Sequence, residues 1–145
     1  MRATRLWKAA ALTIAVACCA GGTALAGPMD IVKPAGALKS CGPDAPPGCQ
    51  HVLLKGEPGT GASQHIYRFP AGFVFVKHWH VSNENLIMTK GTLTIAAEGQ
   101  PDTKLAVGDY LHIPAKVVHW GVCLSECEFY LFVDGPDSFN VVEKN

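Results

Sequence analysis

From His51 onward the chain is a succession of short runs rich in β-branched and aromatic residues, each bounded by Gly, Pro, Asn, Asp or Ser. Candidate strands are 51–55, 64–69, 73–80, 85–89, 93–97, 110–113, 117–122, 128–133 and 139–142. Such residues suit a pleated, half-buried surface, and the residues between them suit turns. No helical period is sustained anywhere in this stretch. Short strands at regular spacing predict an all-β sandwich or barrel. There is no internal repeat and no linker, so one domain is expected over residues 51–145. Only 17% of the chain is charged and 48% is hydrophobic, a composition that buries a core rather than staying disordered.

The first 26 residues differ in character. Arg2, Arg5 and Lys8 precede an apolar run from Ala9 to Ala17, and small residues then lead to Ala24-Leu25-Ala26 before Gly27. A basic start, a short apolar run and an A-x-A site form the layout of a secretory signal peptide. The run is too short to remain as a spanning helix, and it lacks the amphipathic pattern of a mitochondrial transit peptide. A periplasmic or secreted mature protein is therefore expected, with no transmembrane span. A competing reading places a lipid anchor on Cys18. Ala15-Val16-Ala17-Cys18 is similar to a lipoprotein cleavage box but lacks the usual leucine three positions before the cysteine. Removing the three basic residues of the leader leaves nine basic against twelve acidic, a net charge of about −3 with neutral histidines. There is no basic stripe, so nucleic acid is not an expected partner.

Residues 27–50 hold five prolines and two cysteines and read as a loop-like N-terminal arm. Beyond the leader the cysteines are Cys41, Cys49, Cys123 and Cys127. An even number in an exported chain suggests disulfides, and four cysteines allow three pairings. The local pairing is the simplest, since Cys41 and Cys49 flank a turn-rich loop and Cys123 and Cys127 flank three residues. The alternative, a zinc site of four thiolates, lacks paired C-x-x-C spacing.

The segment from Gly72 to Gly91 carries the chemistry. His78 and His80 are two apart, so on a strand both imidazoles share a face while Trp79 points the other way. Glu84 follows across a short polar stretch, and His119 offers a third imidazole on a separate strand. Three imidazoles and a carboxylate on converging strands suit a divalent first-row metal: iron, manganese, nickel or zinc. Four protein ligands around a six-coordinate ion leave two positions for water or substrate.

These residues resemble the two sequence motifs of the cupin superfamily. Gly72, His78, His80, Glu84 and Gly91 meet every element of the first, Gly, five residues, His-x-His, three or four residues, Glu, six residues, Gly. Gly108, Pro114 and His119 match the second in register. Lys116 stands where that motif has glycine and Cys123 where it has asparagine. The resemblance implies a single double-stranded β-helix, or jelly-roll, barrel. It implies His78, His80, Glu84 and His119 as metal ligands, and homodimers as a common assembly.

The resemblance also frames the function, since cupins include dioxygenases, decarboxylases and sugar isomerases as well as proteins that only bind. Two readings follow. In the first, the protein is a metal-dependent enzyme of oxygenase or isomerase type, acting on a small organic acid, phenol or sugar-like substrate. In the second, it is a non-catalytic module of the cell envelope that captures a metal or small ligand. No further carboxylate stands at an obvious inward position, which argues against reactions needing an independent proton shuttle. Tyr67, Phe75, Met88, Tyr110, Phe129 and Leu131 are candidates to line a pocket. His51, His65 and His112 read as surface or packing residues, and Trp79 and Trp120 as packing away from the metal.

Overall fold

The computed structural model describes residues 31–43 and 45–142. The expected leader and the anchor position at Cys18 lie outside the described residues. Among the described residues there are eleven strands and one helical turn, α1 (Pro34–Ala37). The strands are β1 (Lys39–Ser40), β2 (Gln50–Gly56), β3 (Ser63–Phe69), β4 (Val74–Trp79), β5 (Glu84–Lys90) and β6 (Leu93–Ala97), followed by β7 (Thr103–Leu105), β8 (Tyr110–Ile113), β9 (His119–Cys123), β10 (Cys127–Val133) and β11 (Asn140–Val141).

Burial follows the pleat. In β10 every second residue is buried, namely Cys127, Phe129, Leu131 and Val133. In β5 the inward set is Glu84, Leu86 and Met88. This is what a strand with one face on the core requires. The strands pair antiparallel in two sheets, β1-β2-β3-β10-β5-β8 and β11-β4-β9-β6-β7. Phe69, Leu86, Met88, Leu93, Phe129 and Leu131 from both sheets share one core. The fold is thus the all-β jelly-roll barrel expected.

Three elements differ from expectation. β7 has three residues, too few to read as an alternating run, and it pairs with β6 at the sheet edge. The arm is not all loop. Pro34 opens α1, where its fixed φ favours a helical start, and β1 joins the edge of the six-stranded sheet through Lys39↔His51 and Ser40↔Gln50. β9 begins at His119 rather than residue 117, because the Val117 amide donates to the Pro114 carbonyl at 3.2 Å and closes a turn.

Local devices aim the site residues. Phe75 pairs with Gly121 and His78 with His119, so three steps along β4 match two along β9. That extra residue is a β-bulge. It resets the side-chain parity, and Phe75 and His78 both face inward, which strict alternation forbids. Gly91 has a φ of 72°, and a Cβ there would clash with the Glu126 carbonyl. The 124–126 turn packs on it, with the Thr92 amide donating to Ser125 Oγ at 3.1 Å. Disulfides join Cys41 to Cys49 and Cys123 to Cys127, the local pairing, so no thiolate is left for a zinc knuckle.

Lys116, at the glycine position of the second motif, has a φ of 66°. Its amide donates to the His80 carbonyl at 2.8 Å, which ties this turn to the end of β4. A left-handed conformation costs a non-glycine residue about 1–2 kcal/mol. Glycine there relieves that cost but adds about 0.4–1 kcal/mol of unfolded-chain entropy. Lys116→Gly is therefore expected to stabilise the domain by about 0.5–1 kcal/mol. A denaturant midpoint that falls would contradict this.

Candidate metal centre

His78 lies near the end of β4 and His119 opens β9 directly opposite it. His80 follows β4, and Glu84 is the first residue of β5. All four are 3–8% exposed. One ligand atom from each of His78, His80 and His119 lies within 4.8 Å of the others. Glu84 Oε2 stands 3.3 Å from His80 Nε2 and 3.3 Å from His119 Nε2. Glu84 is the one charge on an inward stripe otherwise formed by Leu86 and Met88, a placement that is costly without a cationic partner.

The backbone sets two of the tautomers. His78 Nδ1 donates to the Val76 carbonyl at 2.6 Å and His119 Nδ1 to the Val117 carbonyl at 2.9 Å. A carbonyl only accepts, so Nδ1 carries the proton and Nε2 of the neutral ring presents a lone pair. Burial lowers the His78 pKa to about 4, against an upward pull from the Val76 hydrogen bond and with charge on His119 and His80 adding to the decrease. The ring is neutral at pH 7. His80 differs, because both of its ring nitrogens are buried without a hydrogen-bond partner.

A carboxylate that sequence reasoning missed stands next to His80. Asp137 Oδ1 is 3.5 Å from His80 Nδ1. Burial draws the His80 pKa down, but polar contact with Asp137 and the charge of Glu84 outweigh it, and the net shift is upward. The contact with His80 in turn lowers the Asp137 pKa against burial, so this group is an anion. Asp137 belongs to residues 134–140, which are fastened over the loop after His80. Asn83 donates to Asp134 through its backbone at 3.0 Å and its side chain at 2.6 Å. The Val81 amide donates to Ser138 Oγ at 2.9 Å. Phe139 on the same segment stacks on His78, with centroids 4.1 Å apart at 24°. The local signal for this strap was only a Gly-Pro turn beside two aspartates, and turn residues do not announce what they reach.

These groups stand at one end of a cavity of about 330 Å³ between the sheets. Tyr67, Phe75, Phe129 and Leu131 line it as expected. Met88 is buried in the core outside the cavity lining, and Tyr110 is exposed, its hydroxyl donating to Asn85 Oδ1 at 2.7 Å. The Tyr67 hydroxyl is pushed up to about 12, first by burial and then by the charges of Asp137 and Glu84, so it stays protonated.

Residues 65–134, from β3 to Asp134 just past the end of β10, match the family model described as the cupin domain. The chain belongs to the cupin superfamily. Among solved structures this cupin is similar to an RmlC-like cupin from Shewanella frigidimarina, at 17% identity and a TM-score of 0.58 over 68% of this chain and 82% of that one. It is similar to the DMSP lyase DddQ from Ruegeria pomeroyi, at 21% identity and 0.57, over 72% and 55%. It is also similar to salicylate 1,2-dioxygenase from Pseudoaminobacter salicylatoxidans, at 19% and 0.55, over 61% and 26%. At these identities the likeness is one of fold. The cupin spans about half of the lyase and a quarter of the dioxygenase. No curated protein matches it.

Among the described residues, the other histidines and the tryptophans lie outside the cavity lining. His65 is 1% exposed and bonded at 2.8 Å to both His51 and Ser63, a packing role within β2 and β3. His112 is exposed and approaches Asn85 Oδ1 at 3.1 Å. Neither Trp79 nor Trp120 lines the cavity, and the Lys77 ammonium sits 4.5 Å from the Trp120 ring centroid.

Proposed function

We propose that this cupin is an exported metal protein in which His78, His80, Glu84 and His119 hold one divalent first-row ion. We further propose that it acts as a metal-dependent enzyme of oxygenase or isomerase type on a small organic substrate. The observation that carries the reading is the convergence of three buried imidazoles, one ligand atom of each within 4.8 Å of the others, with Glu84 Oε2 3.3 Å from two of them. Convergent imidazole nitrogens and a carboxylate are the donor types that a first-row divalent ion takes. The donor set therefore fits an ion of this class.

When bound, such an ion supplies Lewis acidity toward a ligand oxygen. The chain's own residues do the rest. Val76 and Val117 hold two rings in one tautomer. Asp137, an anion beside the cavity, stands 3.5 Å from His80 Nδ1 and favours a proton on that nitrogen. This revises the expectation that no further carboxylate stands at an inward position. Tyr67 stays protonated, so it can donate a hydrogen bond to a bound molecule and does not act as a base. Phe139, on the strap, stacks on His78 and lines the cavity. Two disulfides accord with an oxidising compartment, and among the described residues no helix is long and apolar enough to cross a membrane.

The test is elemental analysis of the exported protein purified without chelators. About one ion per chain is expected in the wild type, and a substoichiometric content in Glu84→Ala. A wild type that carries no metal and takes none up on addition would end this reading. Stoichiometric metal without turnover over a broad substrate panel would leave the site and shift the function to binding.

A further inference from the structure

The polarity of the cavity is divided between its two ends. The histidines, Glu84, Asp137 and Ser138 form one end. The other is formed by Phe69, Phe75 and Phe129, with Leu86, Leu111 and Leu131 among its apolar wall, and Tyr67 is the remaining side chain of the lining with a polar group. The three phenyl rings lie 4.8–6.3 Å apart, centroid to centroid, in tilted, edge-on and stacked pairs. Among the described residues that line the cavity there is no lysine, arginine, asparagine or glutamine.

Each feature removes a class of ligand. A dicarboxylate would bring its second charge into an apolar pocket, with no cation to meet it and Asp137 and Glu84 nearby. Burial of an unpaired charge of that kind is strongly disfavoured. A polyol would lose water from several hydroxyls at once and find few partners, and unpaired polar groups are what such sites reject most strongly. A planar apolar ring, in contrast, meets aromatic faces and edges at the distances that rings prefer. The volume equals that of about eleven waters at ~30 Å³ each, enough for one ring with short substituents. At the polar end, Asp137 and Glu84 accept hydrogen bonds, so the ring should carry a hydroxyl that donates.

We infer that the cavity takes a small neutral phenol or catechol, its ring against Phe69, Phe75 and Phe129 and its hydroxyl edge at the histidines. Dicarboxylates and sugars are excluded. The inference rests on the metal reading only in where it places the oxygen edge, since the apolar compartment exists without an ion.

The experiment is calorimetric titration of 4-methylphenol, 4-methylcatechol, succinate and xylose into the metal-free and the zinc-loaded protein. 4-Methylphenol is expected to bind both forms at least tenfold more tightly than xylose or succinate. 4-Methylcatechol is expected to gain at least a further tenfold on zinc loading. Leu111→Phe, which fills the apolar end, should weaken 4-methylphenol at least tenfold. If that variant does not fold, toluene should displace 4-methylphenol from the wild type. Saturable 4-methylphenol binding upholds the inference even if no zinc is taken up, in which case only the metal reading fails. Absence of 4-methylphenol binding in both forms overturns the inference, as does tighter binding of succinate or xylose to the zinc-loaded protein.

Discussion

Replacing His80 with alanine is expected to weaken divalent-metal binding by more than about 100-fold, since even an outer partner of a metal ligand is worth about 10–100-fold. The metal-free protein should also lose some stability by the same change, since His80 is buried and contacts two carboxylates. Its ring nitrogens stand 3.3 Å from Glu84 and 3.5 Å from Asp137, so its removal takes a partner from both carboxylates. Deleting a buried side chain also leaves a cavity. The backbone of His80 keeps its tie to the Lys116 amide. The two effects separate in one experiment. Thermal unfolding with and without added ion should show a metal-dependent rise for the wild type, about 2.7 kcal/mol at an ion concentration 100 times Kd. The variant should show at most about 0.4 kcal/mol at the same concentration. Affinity itself follows from competition with a chromogenic chelator. An unchanged affinity in His80→Ala would remove His80 from the ligand set.

Asp137→Asn is expected to lower metal affinity by about 10–100-fold, with the fold intact. The carboxylate stands 3.5 Å from His80 Nδ1, on the side away from the contact between His80 Nε2 and Glu84. It does for His80 what the Val76 and Val117 carbonyls do for the other two rings, favouring a proton on Nδ1 and a lone pair on Nε2. It also brings negative charge toward the ion. Asparagine keeps the shape and removes that charge. A second readout separates positioning from packing. In the metal-free variant the His80 imidazole should titrate at lower pH than in wild type, because one of the groups that raises its pKa is gone. If both affinity and titration stay at the wild-type values, Asp137 does not act on His80.

The two residues also differ in how readily they are read from sequence. His80 stands in a pattern of fixed offsets, Gly72, His78, His80, Glu84 and Gly91, and each position has a local physical cause. The His-x-His spacing follows the pleat, and Gly91 adopts positive φ where no Cβ fits. Asp137 has no such cause. Its role comes from hydrogen bonds between Asp134 and Asn83 and between Ser138 and Val81, each joining residues more than fifty positions apart.

Parity along β4 shows the same division. Simple alternation places Phe75 and His78 on opposite faces, and only the bulge against β9 brings both inward. The bulge is a property of the pairing between two strands, so neither strand encodes it alone. Tyr110 and Met88 were misassigned to the cavity lining for a related reason. Strand patterns tell inside from outside, but they do not tell which inward residues border empty space and which fill the core.

By itself the sequence determined that this is an all-β chain with local disulfide spacings and a candidate ligand set of His78, His80, Glu84 and His119. Those features follow from short-range rules of pleat, turn and spacing. Tertiary structure alone decided that Asp137 faces His80, that Phe139 covers His78, and that the cavity is apolar at one end. Each depends on which distant segments meet, and contacts between distant segments leave no periodic mark on a single chain.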